Sequence, residues 1–246
     1  MADLLLILPV FLIAGLVKGI AGFGLPTVSI ALLALARPLP EAMALMLVPS
    51  LATNVWQAMS GGTLRQVTPR IGAFLLCAIG GTYLAAGQLA RADVVLLSGV
   101  LGLSLMASSA LALAAPRLPA PSPAAERWLA PPVGAVSGVL AGLTGSFLVP
   151  AAPWLQAIRL PREQFVQGFG LAVLLVNTAL AAGLAGGGLL PAELGLASLI
   201  GLAPAFAGME AGRRLRLRLD EATFRKVVQV ALGLLGAWLA VRAFRP

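Results

Sequence analysis

Gly15-Leu16-Val17-Lys18-Gly19-Ile20-Ala21-Gly22-Phe23-Gly24, followed at once by Leu25-Pro26, is the stretch that decides how this chain folds. It lies inside an apolar run from Leu4 to Ala36 in which Lys18 is the one charged residue. A helix crossing a bilayer core needs about 20 apolar residues. The run is therefore too long for one upright span and too short for two full spans with a water-exposed loop between them. Gly15, Gly19, Gly22 and Gly24 interrupt it, with Pro26 close behind. The expected structure is a pair of shorter helices with a break at membrane depth. The apolar run that follows Asp3 lacks the basic leader of a secretory signal and reads as a retained membrane segment.

Composition places the rest of the chain in the same solvent. Of 246 residues 59% are apolar and 11% are charged, against about 25% charged in soluble domains. Lipid is the surrounding medium, which excludes a soluble enzyme, and the apolar content excludes intrinsic disorder. The formal charge of +8 then reports membrane orientation and not a nucleic-acid partner. With Cys77 the single cysteine and no histidine, neither an internal disulfide nor a Cys-cluster metal site is possible, and no metal or cofactor is expected.

Other runs with few or no charges cover 42–62, 71–90, 94–115, 129–158, 165–190, 194–209 and 227–241. Most have the length of one span. The exception, Leu129 to Ile158, is again too long, and Gly134, Gly138, Gly142 and Gly145 interrupt it before Pro150. Sliding the chain on itself puts Gly19 on Gly142, Gly22 on Gly145 and Asn54 on Asn177, while Gln57 falls on Leu180. Such self-similarity marks an internal repeat. Two halves follow, residues 1–115 and 129–246, joined by a proline-rich connector at 116–128 that reads as extended.

Arginine placement sets the orientation. If each broken pair returns to the side from which it came, one face collects Arg65, Arg70, Arg117, Arg127, Arg159, Arg162 and the basic run from Arg213 to Lys226. The other face keeps Arg37, Arg91, Arg242 and Arg245. The fold class is thus all-α: a polytopic membrane protein of about ten helical segments, in two inverted five-segment repeats with broken first helices. That arrangement recurs in secondary transporters. Both termini lie outside and the connector is cytoplasmic.

Lys18 is the most informative side chain. No Asp or Glu lies in a span interior to pair with it, and an ionisable group at that depth costs about 2.5–3.5 kcal/mol on insertion scales. An anionic ligand is the simplest partner; the competing reading is a lysine that snorkels from the end of a short half-helix. Broken helices would aim free N–H groups and partial positive charge at one spot. In the first half that spot involves Gly22, Phe23, Gly24 and Thr27, and in the second Thr144, Gly145, Ser146 and Phe147. Close helix packing is the alternative for these glycines, and it suits Gly138 and Gly142 well. Asn54 and Asn177 are the symmetric amides, with Gln57 one turn after Asn54. They either complete a polar cavity on the pseudo-two-fold axis or serve as interhelical glue. Trp56 and Trp154 are interface anchors, or, for Trp154, a lid.

Buried Asp, Glu or His, on which proton pumps commonly run, is missing from the spans; Glu41, Glu163, Glu193 and Glu210 are edge groups. No acid/base pair or nucleophile-base dyad supports an intramembrane enzyme, so the chain is not read as one.

The opening Gly15 to Gly24, its echo Val136-Ser137-Gly138-Val139-Leu140-Ala141-Gly142-Leu143-Thr144-Gly145 and the duplicated Asn-bearing spans resemble the sulfite exporter TauE/SafE family of membrane permeases, over nearly the whole chain. The resemblance implies transport of sulfur-containing anions such as sulfite or organosulfonates across a bacterial inner membrane, usually outward. The expected function is a secondary transporter working by alternating access, with Lys18, Gly22, Phe23, Gly24, Thr27, Asn54, Gln57, Thr144, Gly145, Ser146 and Asn177 around a small anion. A coupling proton or sodium ion is a further expected partner beside the bilayer. A passive anion channel is the alternative.

Overall fold

The computed structural model describes residues 2–114, 119–218 and 220–244; Arg117, Arg245 and the start of the connector lie outside them. Among the described residues the only regular structure is helix. The first half contains α1 (Ala2–Ala21), α2 (Leu25–Leu33), α3 (Leu39–Met59), α4 (Leu64–Ala86) and α5 (Val94–Ala114). The second contains α6 (Pro123–Thr144), α7 (Ala151–Ala157), α8 (Arg162–Gly186), α9 (Ala192–Ile200), α10 (Leu202–Leu215) and α11 (Glu221–Phe244). Only Gly201 separates α9 from α10, and together they form one span-length rod, Ala192–Leu215. Among the described residues, six helices are long and apolar enough to cross a membrane.

Both broken segments divide unequally. α1 has 20 residues and α2 only 9; at 1.5 Å per residue α1 alone is about 30 Å long, the thickness of a bilayer core. The expected two short helices are therefore one full-length helix followed by a short returning one, because the residues that force the break come late. Gly22 and Gly24 have φ of +84° and +102°, a region that side chains with a Cβ rarely enter. Pro26 then stands in the first turn of α2, where its missing N–H costs nothing. In the second half α6 has 22 residues and α7 has 7, and Gly145, at φ +72°, ends α6. Ser122 accepts a hydrogen bond from the Ala125 N–H and caps α6, so the chain from Pro123 onward is helical and not extended.

Glycine sets the packing of the long helices. A Cβ at Gly15 or Gly19 would overlap the carbonyl oxygen of Ala205 or Met209 on α10, and one at Gly208 or Gly212 would overlap that of Leu12 or Leu16 on α1. On α6, Gly134, Gly138 and Gly142 meet the carbonyls of Phe74, Ala78 and Thr82 on α4 in the same way. Close packing is thus the role of Gly15, Gly19, Gly138 and Gly142. The main pairings map onto themselves when the halves are exchanged. α4 against α6 corresponds to α1 against α10, α4 against α8 to α3 against α9, while α3–α8 and α5–α11 are their own images.

Large apolar side chains face outward along these helices, among them Leu76, Leu84, Leu234 and Trp238. Water would not tolerate so broad an apolar exterior; lipid does. Trp56 is exposed, whereas Trp154 is buried against Phe74 and is no interface anchor. Charge divides the bundle's ends. Arg70 binds Glu126 and the Ile158 carbonyl, which gathers the starts of α4, α6 and α8. Gln57 ties the end of α1 to the start of α8 through the Gly22 and Val166 carbonyls, and Ala21 shares a cavity with Arg225, so the α10–α11 turn lies at the same end. Arg37 and Arg242 line another cavity at the start of α5, at the opposite end.

Candidate functional site

The two breaks meet. The hydroxyls of Thr27, in the first turn of α2, and Ser146, two residues past the end of α6, are 2.9 Å apart and hydrogen-bonded. Both are buried, 3% and 5% exposed. A Cβ at Gly145 would collide with Ile30 of α2 and Met43 of α3, so glycine is needed there for space as well as for its backbone. Thr144 plays a local part: its hydroxyl donates to the Leu140 carbonyl and accepts from the Ser146 N–H, which holds the unwound turn in shape.

Lys18 does not snorkel. It is 3% exposed, and its ammonium donates to Asn54 Oδ1 at 2.7 Å and Thr53 Oγ1 at 3.2 Å, both on α3. No carboxylate lies within ion-pair distance of it among the described residues. Hydrogen bonds from a charged donor are worth about 1.5–3 kcal/mol each, yet two neutral oxygens leave the charge itself unbalanced. A third ammonium proton has no acceptor among the described residues.

The symmetric amides converge on a residue the sequence did not single out. Asn54 Nδ2 donates to the Ser50 carbonyl at 2.7 Å and to Ser50 Oγ at 3.1 Å, and Asn177 Nδ2 donates to the same Oγ at 2.7 Å. Lys18, Asn54, Ser50 and Asn177 thus form one chain across the α3–α8 contact. Ser50 Oγ accepts from both amides, so its own proton can point to a further acceptor. Symmetry concealed this serine, since Val173 occupies the matching position in the second half. The available signal was its spacing, a serine one turn before an asparagine in an apolar span.

Gln57 fastens the first break to α8: its Nε2 donates to the Gly22 carbonyl at 2.9 Å and the Val166 carbonyl at 2.7 Å. Phe23 leaves the polar cluster and packs edge-on against Phe165 and tilted against Phe169. Phe147 continues that aromatic layer through Phe74 to Trp154, which stacks on Phe74 with centroids 4.8 Å apart. The expected residues therefore fall into three groups: Lys18 with Asn54 and Asn177, Gln57 with Gly22, and Thr27 with Ser146. Gly24 and Gly145 supply the left-handed backbone beside the Thr27–Ser146 pair. No group of three Cys, Asp or Glu side chains able to hold a metal occurs among the described residues.

A buried ammonium with only neutral partners and two unwound segments lie between long apolar helices. The sulfite exporter TauE/SafE model matches residues 7–239. The chain belongs to the sulfite exporter TauE/SafE family. Among curated proteins none matches it, and among solved structures none does. Family membership makes this TauE/SafE protein a multi-pass membrane permease of the sulfite or sulfonate exporter type, with an anionic substrate and the bilayer as its surroundings.

Proposed function

We propose that this TauE/SafE protein is a secondary transporter that exports a small sulfur oxyanion, sulfite or an organosulfonate, across the inner membrane by alternating access. The observation that carries the reading is Lys18, buried with only neutral oxygens as partners. An anion beside it receives the third ammonium proton and the Ser50 hydroxyl, with Asn54 and Asn177 fixing both donors in place. Thr27, Ser146 and the backbone of Gly22, Phe23, Gly24 and Gly145 form the other side of the cradle, and Thr144 and Gln57 hold its shape.

Residues 1–115 and 129–246 act as inverted repeats joined by a cytoplasmic connector, with the basic end of the bundle in the cytoplasm and both termini periplasmic. The self-mapping helix contacts support this division. A proton or sodium ion couples to the anion.

Flux of radiolabelled sulfite and methanesulfonate in proteoliposomes tests the reading. Wild-type protein is expected to accumulate one of them against its own gradient, and Lys18→Ala and Asn177→Ala to lose most of that flux. Flux unchanged in both variants would overturn the site. Downhill movement without accumulation would instead favour a channel.

A further inference from the structure

A cavity of about 20 Å³ lies beside the first break. Phe23, Gly24 and Thr27 form one wall, Leu148 from the second break contributes, and Arg225 and Gln229 of α11 stand on the other wall among apolar neighbours. Thr27 of the first wall is hydrogen-bonded to Ser146, where the two breaks join. The cavity's outer end is exposed Arg225, in the first turns of α11 at the basic end of the bundle. Arg225 and Gln229 are one helical turn apart and share a face.

Three features of this wall go beyond packing. Gln229 Oε1 is buried without a hydrogen-bond partner among the described residues, which native interiors seldom permit. The volume has room for about one water and none for a sulfur oxyanion. α11 packs extensively on α5, where Gly102 and Gly236 meet and Ser109 donates to the Gln229 carbonyl, but only sparsely on α1 and α2. The weak seam in the bundle therefore runs through the cavity.

We propose that this cavity is the closed form of an access route for the anion from the basic end to the Thr27–Ser146 junction, with Arg225 receiving the anion at the mouth and Gln229 passing it inward. It rests on the transporter reading above and adds the route and two binding residues. The guanidinium fork of Arg225 suits two oxygens of an oxyanion. The Gln229 amide nitrogen donates to a third, while a water carried with the anion donates to the amide oxygen that is otherwise unpaired. The route opens as the α5–α11 pair parts from α1 and α2.

Gln229→Cys in a Cys77→Ser background, in proteoliposomes, tests the route with a membrane-impermeant thiol reagent applied to each side in turn. Methanesulfonate, which does not react with the reagent, is the protecting anion. Labelling from the basic end that methanesulfonate slows is the expected result; no labelling there, or equal labelling from both sides, would overturn the route. Arg225→Gln should raise the KM for sulfite presented at the basic end about tenfold, leave it unchanged from the opposite end, and be partly rescued by Arg225→Lys. A KM unchanged, or raised equally from both sides, would overturn the role of Arg225. Wild-type protein that moves neither sulfite nor methanesulfonate would refute the transporter reading alone, since the labelling experiment needs no flux.

Discussion

Ser50 holds the two symmetric amides with one oxygen. Removing that oxygen leaves both Nδ2 groups short of a partner in a buried site, and an unsatisfied buried donor costs about 1–3 kcal/mol. Ser50→Ala should therefore lower sulfite flux by about tenfold or more while the protein still inserts and remains monodisperse in detergent. Flux at the wild-type level would show that Ser50 only packs. Lys18, Asn54 and Asn177 are legible from the sequence because charge and amide are conspicuous in an apolar run. Serine is tolerated in any membrane helix, where it can return its hydroxyl to its own backbone as Ser29 does to Leu25. Its functional neighbours become visible only once α3 and α8 are placed together. Lys18 illustrates the limit from the other side: its depth is readable, but its inward turn depends on Thr53 and Asn54 being on the facing helix.

Glycine has two uses in these helices, and substitutions separate them. Gly24 has open space around its missing side chain, the nearest atom being Val17 Cγ1 at 3.8 Å from an added Cβ. Its φ of +102° is then the only obstacle, so Gly24→Ala should cost about 1–3 kcal/mol of backbone strain and reshape the break. At Gly138 the backbone is ordinary helix, but a side chain would be driven into the Ala78 carbonyl. Gly138→Val should separate α6 from α4 and lower stability by at least about 1–3 kcal/mol, as overpacking does. Sulfite flux and thermal unfolding measured on both variants distinguish the roles: Gly24→Ala loses more flux than stability, and Gly138→Val more stability than flux. The reverse pattern would exchange the assignments. Spacing alone shows that glycines cluster; it does not tell which ones bend the chain. Pro26 beside Gly24 and Ser146 beside Gly145 are the local signs of a break, whereas four-residue spacing marks the packing set.

Across the whole molecule the contacts of one half repeat in the other, with each first helix packed on the fourth span of the opposite half. Neither repeat buries its glycine-lined helix alone, which is why the offset in the sequence is an offset between halves of one interlocked bundle. The unequal division of each broken segment was not legible, because hydropathy runs without interruption through Gly22–Gly24 and Gly145. The proposed topology makes a sided prediction. Cysteines placed at Arg65 and Arg91, in a Cys77→Ser background, should react with an impermeant thiol reagent from opposite faces of oriented vesicles, Arg65→Cys from the cytoplasmic one. Reaction from the same face would refute the crossing order.

Equilibrium binding of radiolabelled sulfite to the purified full-length protein, compared with Lys18→Met, addresses the buried ammonium without the complications of flux. Saturable binding to the wild type that weakens about a hundredfold or more in Lys18→Met, with the fold retained, is the expected result. Equal affinity in the two proteins would contradict it.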